Sequence, residues 1–247
     1  MLSDLSLADY TILFSAAFLL GLSKSGIKGL SVVNVALLVF VFGAKASTGI
    51  LLPMLIVGDI FAVIYYNRHA EWKYLFRLLP FLIIGVLIGT WVGKGLPEEV
   101  FRKCMAAVIF VSVLVMIWWD QRKSKYVPDN LSFAGIMGLT AGFTTMVGNL
   151  AGSFVNLFFL AMKLPKNVFI GTTAWLFLIT NLFKVPLHIW SWETITSTSI
   201  QVSGITVPFI FLGLFTGVRI LKRVNDKLFR QFILVVTLIG AILIFFT

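Results

Sequence analysis

Charged residues are scarce in this sequence. Asp, Glu, Lys and Arg make up 12% of its 247 residues, against about 25% in a usual soluble chain. Acidic groups are scarcer than basic ones, 10 against 20. Cysteine occurs once, at Cys104, which excludes an internal disulfide and a thiolate metal cluster. The two histidines, His69 and His188, stand far apart with no ligand set beside them, so no metal is expected. There is no Walker lysine loop, no serine nucleophile elbow and no pair of catalytic carboxylates. ATP coupling within the chain is therefore unsupported, no cofactor is expected, and the chain does not read as an enzyme. The opening MLSDLSLADY contains neither Lys nor Arg. That is unlike the basic start of a signal peptide, so the first apolar run is expected to be retained.

What is abundant is apolar surface. Hydrophobic residues make up 59% of the chain, with 24 Phe and 7 Trp, and the mean hydropathy is +1.00. In water this excess would leave large sticky patches. Eight apolar segments follow one another, at roughly 10–42, 46–66, 75–93, 103–119, 131–162, 168–187, 199–218 and 231–246. The uninterrupted ones approach the ~20 residues a spanning helix needs. They are too long and continuous for strands of a membrane barrel. The expectation is an all-α, polytopic transmembrane bundle. The net charge of +10 lies mostly between apolar runs, where it meets anionic lipid headgroups. Membrane lipid is thus an expected partner and nucleic acid is not.

The first and fifth segments exceed thirty residues and are interrupted near the middle, at GLSKSGIKG and TTMVGN. Each reads as helix, break, helix, either bent across the membrane or folded back as a re-entrant hairpin. The two halves also match. At an interval of 122, Gly26 pairs with Gly148, Asn34 with Asn156, Gly49 with Gly171, Asp59 with Asn181 and Phe61 with Phe183. At an interval of 128, GVLIG at 85–89 pairs with GLFTG at 213–217, and Phe101-Arg102 with Phe229-Arg230. The chain is read as a single membrane domain, 1–247, with one repeat at about 8–119, a linker at about 120–130 and a second repeat at about 131–247. Internal repeats of this kind place transport sites at their interface.

The polar minority within these segments supplies the candidate site. Lys24 and Lys28 flank Gly26, with Ser25 between them, at helical spacing. Ionised amines in hydrocarbon are costly and line cavities or find partners. Beside a helix break, where backbone N–H groups are free, they suit an anion. The alternative is that both lysines snorkel into water near an interface. In the second break Thr144, Thr145 and Asn149 could line a pathway, or the threonines could bond their own backbone. Gly148 there allows close backbone approach. Asn34 and Asn156 could clamp the broken halves or touch substrate. Asp59 is the one acidic residue deep in an apolar segment; a proton carrier, a cation ligand and an ion-pair partner of Lys24, Lys28 or Lys184 all fit it. Its match Asn181 and the nearby Lys184 could face the same cavity, though Lys184 could also snorkel, since His188, Trp190 and Trp192 read as an interface belt. Thr172 and Thr173 are further pathway candidates, with helix packing as the plainer reading. The GxxxG pairs at Gly85 and Gly89 and at Gly213 and Gly217 read as helix-packing motifs.

In its eight-segment layout, its glycine-rich interruption opening each half and the stretch from Gly43 to Asp59, the chain resembles the sulfite exporter TauE/SafE family of permeases over nearly its whole length. It departs from the family pattern in GLSKSGIKGLSVVN and GFTTMVGNLAGSFVN, which lack the proline that often follows the glycine run. The resemblance implies a multi-pass protein of the bacterial inner membrane that moves a small anion such as sulfite, a sulfonate or thiosulfate by alternating access. A coupling proton or ion and self-association into a homo-oligomer are left open. Two other readings stand beside it: a cation-conducting or proton-coupled protein using Asp59, and a non-transporting membrane assembly protein.

Overall fold

The computed structural model describes residues 5–25, 30–66, 70–121, 130–162 and 164–220. Gly26, Lys28, His69 and the eighth apolar segment lie outside them. The described residues form nine α-helices and no strand: α1 (Leu7–Lys24), α2 (Leu30–Phe42), α3 (Ala44–Tyr66), α4 (Trp72–Lys94), α5 (Glu98–Gln121), α6 (Leu131–Gly148), α7 (Gly152–Ala161), α8 (Lys166–Pro186) and α9 (Ser197–Ile220). A π-helical turn, Leu187–Ser191, extends α8. Among the described residues six helices are long and apolar enough to cross a membrane: α1, α3, α4, α6, α8 with its π turn, and α9. The chain is a multi-pass helical membrane protein.

Local chemistry explains where the broken segments start and stop. Ser6 and Asp9 form a reciprocal capping box at the head of α1. Asn130 Oδ1 accepts from the Phe133 amide at the head of α6, 2.8 Å. At the end of α6, Asn149 adopts the left-handed conformation (φ 56°, ψ 32°), and its N–H bonds Thr145 O at 3.0 Å. A left-handed cap stops the helix and turns the chain.

Both broken segments fold back on themselves. Asn34 lies in the second turn of α2, yet its amide spans one hydrogen-bonded step of α1, donating to Ala16 O at 2.8 Å and accepting from Leu20 N at 3.2 Å. A continuous helix would separate residues 16 and 34 by about 27 Å at 1.5 Å per residue. In the second half the Phe133 ring of α6 stacks on the Phe158 ring of α7, with centroids 6.1 Å apart. The α2 helix has 13 residues and α7 has 10, or about 20 and 15 Å of length. Neither matches the ~30 Å hydrocarbon core, so each segment is a re-entrant hairpin rather than a bent crossing.

The helices pair between halves. Along α1 and α9, Phe14 stacks on Phe209 with centroids 4.2 Å apart, Gly21 meets Gly213, and Ser25 meets Gly217. The residue numbers rise together, so the helices run parallel. Along α6 and α4, Gly138 meets Phe81, Gly142 meets Gly85, and Met146 meets Gly89, again in parallel. The two crossings use corresponding atoms, although Gly21 and Gly142 are 121 positions apart, one short of the 122 that separates Asp59 from Asn181. A Cβ on Gly21 would fall 2.1 Å from Ile210 O and 2.9 Å from Gly213 Cα. One on Gly142 would fall 1.9 Å from Leu82 O and 2.9 Å from Gly85 Cα. The intervals 210 − 82 and 213 − 85 are both 128, and Pro208 in α9 stands the same 128 after Pro80 in α4. By contrast α3 and α8 run antiparallel: Asp59 meets Asn181, Ala62 and Val63 pack with Leu178 and Ala174, and Trp72 beyond the end of α3 packs on Trp175.

Candidate functional site

The antiparallel crossing of α3 and α8 brings the intramembrane polar residues together. Asp59 is fully buried. One of its carboxylate oxygens takes the ammonium of Lys24 from the end of α1. The other accepts from Asn181 Nδ2 at 2.7 Å. Gly58 leaves room for the Lys24 stem, which would stand 2.9 Å from a Cβ placed there. The Lys24 ammonium also lies 5.2 Å from the centroid of the Phe177 ring on α8, within cation–π range.

Lys184, one turn beyond Asn181, is likewise fully buried, so it does not snorkel. Its ammonium donates to Thr145 O at 2.9 Å, to Asn149 Oδ1 at 2.5 Å and to Asn181 Oδ1 at 3.5 Å, with Thr145 Oγ1 at 3.4 Å. Three of these partners are pure acceptors, which matches the three protons of a charged amine. Asn181 thus bridges the two ion centres through opposite ends of one amide. Asn149 Nδ2 reaches Thr48 O of α3 at 3.5 Å. The connected group runs Lys24, Asp59, Asn181, Lys184, Asn149 and Thr145. It holds two ammonium groups and one carboxylate.

Each lysine stands at a helix break. Lys24 ends α1 just before the first break; Lys184 reaches from α8 into the second, where α6 stops. The short helices α2 and α7 begin beside these breaks, and their starts approach each other. A methyl on Gly152 would lie 3.9 Å from Ser31 Oγ and 4.0 Å from Asn156 Nδ2. The first turn of a helix has N–H groups without intrahelical partners and a positive dipole end. Two such ends stand by the breaks that carry the fully buried Lys184 and the partly buried Lys24, which makes this a positive region of the protein interior.

The remaining candidates divide between this centre and the scaffold. Thr145 and Asn149 belong to the network, whereas Thr144 Oγ1 bonds backbone oxygens of its own helix, Thr140 O at 2.8 Å. Ser25 Oγ donates to Leu22 O at 2.7 Å and seats against Gly217. Asn34 clamps α2 to α1. Asn156 sits half-buried near the start of α7. Gly148 packs on Leu150 and Met105. Thr173 Oγ1 bonds Phe169 O at 2.7 Å. Thr172 Oγ1 donates to Val168 O at 2.7 Å and accepts from the Glu71 amide at 2.9 Å, tying the α3–α4 connection to α8 away from the lysines.

The interface belt expected after α8 is corrected: Trp190 is 77% exposed, but Trp192 is 5% and His188 0% exposed. The π turn swings the latter two inward. Trp192 donates from Nε1 to Thr90 O at 3.0 Å and fills the notch left by Gly93. Phe177 was missed by the sequence reading, and one phenylalanine among 24 carries no signal that would mark it. Among the described residues no group of His, Cys, Asp and Glu could hold a metal.

Comparison with known proteins adds one finding. A family model described as sulfite exporter TauE/SafE matches residues 13–244. No curated protein and no solved structure matches the chain.

Proposed function

Because the chain belongs to the sulfite exporter TauE/SafE family, a family of transporters rather than enzymes, we propose that it is a secondary transporter that carries a small sulfur-containing anion, such as sulfite, a sulfonate or thiosulfate, by alternating access. The observation that carries this reading is the charge imbalance of the buried network. Lys24 and Lys184 share a single carboxylate, Asp59. Burying an unmatched charge in hydrocarbon is costly. An anion seated between the two ammonium groups and the starts of α2 and α7 would supply the missing charge, and those N–H groups would bond its oxygens. The antiparallel pairing of matched helices supports alternating access, because inverted halves can exchange conformations about a fixed central site.

The cation-conducting alternative has less support. Both oxygens of Asp59 already hold protein donors, Lys24 and Asn181, and the surroundings are positive.

The test is ligand-dependent thermal stabilisation of the purified protein against sulfite, thiosulfate, sulfonates and carboxylates, followed by flux in vesicles. Sulfur oxyanions should raise the melting temperature. Lys24→Ala should weaken binding by about tenfold or more, equivalent to ~1.4 kcal/mol. Unchanged anion binding and flux in both Lys24→Ala and Lys184→Ala protein would overturn the proposal. Flux abolished by Asp59→Asn but spared by Lys24→Ala would favour a cation.

A further inference from the structure

His188 is a buried titratable group that the anion site does not use. It is fully enclosed. Its Nδ1 lies 2.7 Å from Thr194 Oγ1, and the backbone of the same loop returns to it, Thr194 N donating to His188 O at 2.9 Å. The ring packs edge to face on Trp192, centroids 5.2 Å apart. Trp192 is in turn held by Thr90 O of α4 and by the ring of Phe101 of α5. The imidazole is therefore fixed on one side, while Nε2 has no hydrogen-bond partner. An unpartnered buried ring nitrogen is uncommon and costs stability, so it calls for an explanation.

Its position supplies one. Asn181, Lys184 and His188 are three and four residues apart, so they lie in one column along α8 and its π turn. Lys184, one turn earlier in that column, is the charged residue of α8 nearest to His188 in the chain. The Thr194 hydroxyl and the Trp192 ring touch the imidazole, and Phe101 and the Thr90 carbonyl back Trp192; none of these groups is charged. An imidazolium here would face the Lys184 ammonium with no counter-charge. An anion beside Lys184 changes that, because it adds the negative charge both cations need.

We propose that His188 is the coupling site for a proton that travels with the anion: with Nδ1 held by Thr194, its free Nε2, on a residue one helical turn beyond Lys184, takes up a proton when the anion site fills and releases it when the site empties. The step is a simple protonation, imidazole plus a solvent proton giving imidazolium, and it reverses on the opposite side. Binding linkage makes the effect reciprocal: the anion favours the proton and the proton favours the anion by the same factor. This inference rests on the anion-site reading above.

The chain has two histidines, so side-chain 15N-histidine spectra of the purified protein hold two pairs of ring-nitrogen signals, assigned with His69→Gln. Thiosulfate and sulfoacetate stay fully ionised over the range where histidine titrates, roughly pH 5 to 8, and serve as probes. The His188 signal should move from neutral imidazole to imidazolium on adding either probe at fixed pH. Anion binding should take up protons from a weak buffer, and His188→Gln should abolish that uptake. In vesicles the same variant should keep anion exchange but lose its acceleration by a proton gradient. If His188→Gln does not fold, the titration of the wild-type signal decides. Binding with an unshifted His188 signal overturns the coupling proposal alone. Absence of binding by either anion at any pH overturns it together with the anion site.

Discussion

Asn181 donates its side-chain amide to Asp59 at 2.7 Å, although the two residues are 122 positions apart in the chain. The same interval relates matched positions in the two halves. A residue can touch its own counterpart only at the axis that relates them. The helices that carry the pair, α3 and α8, run antiparallel, so that axis lies across the helices, in the plane of the membrane. The parallel α1–α9 and α4–α6 crossings, with their matched glycine contacts, obey the same relation. We propose on these grounds that the chain is an inverted duplication, in which the carboxylate and the amide are the two halves' versions of one position. Two carboxylates there would repel at contact distance; one acid and one amide form a bond.

Exchange of the pair follows as the first prediction. Asp59→Asn leaves Lys24 and Lys184 without any buried counter-charge, and breaking one partner of a buried ion pair costs about 3–5 kcal/mol. A pronounced drop in melting temperature is expected. Asp59→Asn combined with Asn181→Asp returns one carboxylate to the axis, still beside Lys184, and should recover part of the loss. A double variant no more stable than Asp59→Asn alone would show that the two positions are not interchangeable.

Lys184 holds the second break closed. Three acceptors from α6 and α8 depend on its ammonium. Lys184→Met keeps most of the volume but strands Asn149 Oδ1 and Asn181 Oδ1, each at about 1–3 kcal/mol, while Thr145 O keeps the Asn149 amide. The loss should concentrate at the end of α6. Hydrogen exchange by mass spectrometry is expected to quicken in peptides covering 145–151 more than in α4 or α9. Uniform quickening through the protein would mean that Lys184 serves the whole core and not the break.

Much of this arrangement was legible in the sequence, for identifiable reasons. Apolar length gave the spanning segments because the bilayer thickness sets a narrow requirement. The matched spacing of Asp59 and Asn181 was visible because a duplication preserves intervals. Lys24, Asp59 and Lys184 stood out because charge is rare in hydrocarbon and must be partnered. Direction was not legible. Whether GLSKSGIKG bends or reverses depends on tertiary partners, and the deciding contact is Asn34 reaching back to Ala16 and Leu20. Thr144 and Thr173 look like pathway residues by type, yet their hydroxyls are spent on the preceding turn, an option every helical threonine has. His188 and Trp192 read as an interface pair because His and Trp favour that zone. The π turn that draws them inward leaves no mark in composition.

Trp192 offers a test of that inward turn. Trp192→Phe keeps most of the ring packing on Phe101 but removes the indole bond to Thr90 O, 3.0 Å. A single lost hydrogen bond should cost about 1 kcal/mol. Gly93→Ala is expected to cost more, because the added methyl would stand 2.4 Å from Trp192 Cζ2 and push the side chain out of its notch. Tryptophan emission should shift to the red in Gly93→Ala if Trp192 leaves its buried seat. An interfacial Trp192 would show neither the stability loss nor the shift.

The glycine crossings should respond as a matched pair. At Gly21 an added Cβ meets Ile210 O at 2.1 Å, and at Gly142 it meets Leu82 O at 1.9 Å. Both obstacles are backbone atoms of a neighbouring helix and cannot rotate away, so the helices themselves must separate. Overpacking of a tight core typically costs about 1–3 kcal/mol. Gly21→Ala and Gly142→Ala should therefore destabilise the protein to a similar degree, the first by opening α1 from α9 and the second by opening α6 from α4. Gly204 in α9 is the contrast: nothing lies within 4 Å of a Cβ there. Alanine has the higher helix propensity, so Gly204→Ala should be neutral or stabilise by about 0.5–1 kcal/mol. Melting temperatures in one detergent, measured side by side, separate the three. A large loss at one crossing with none at the other would break the equivalence of the two halves, since matched atoms in matched crossings cannot differ so far in what they tolerate.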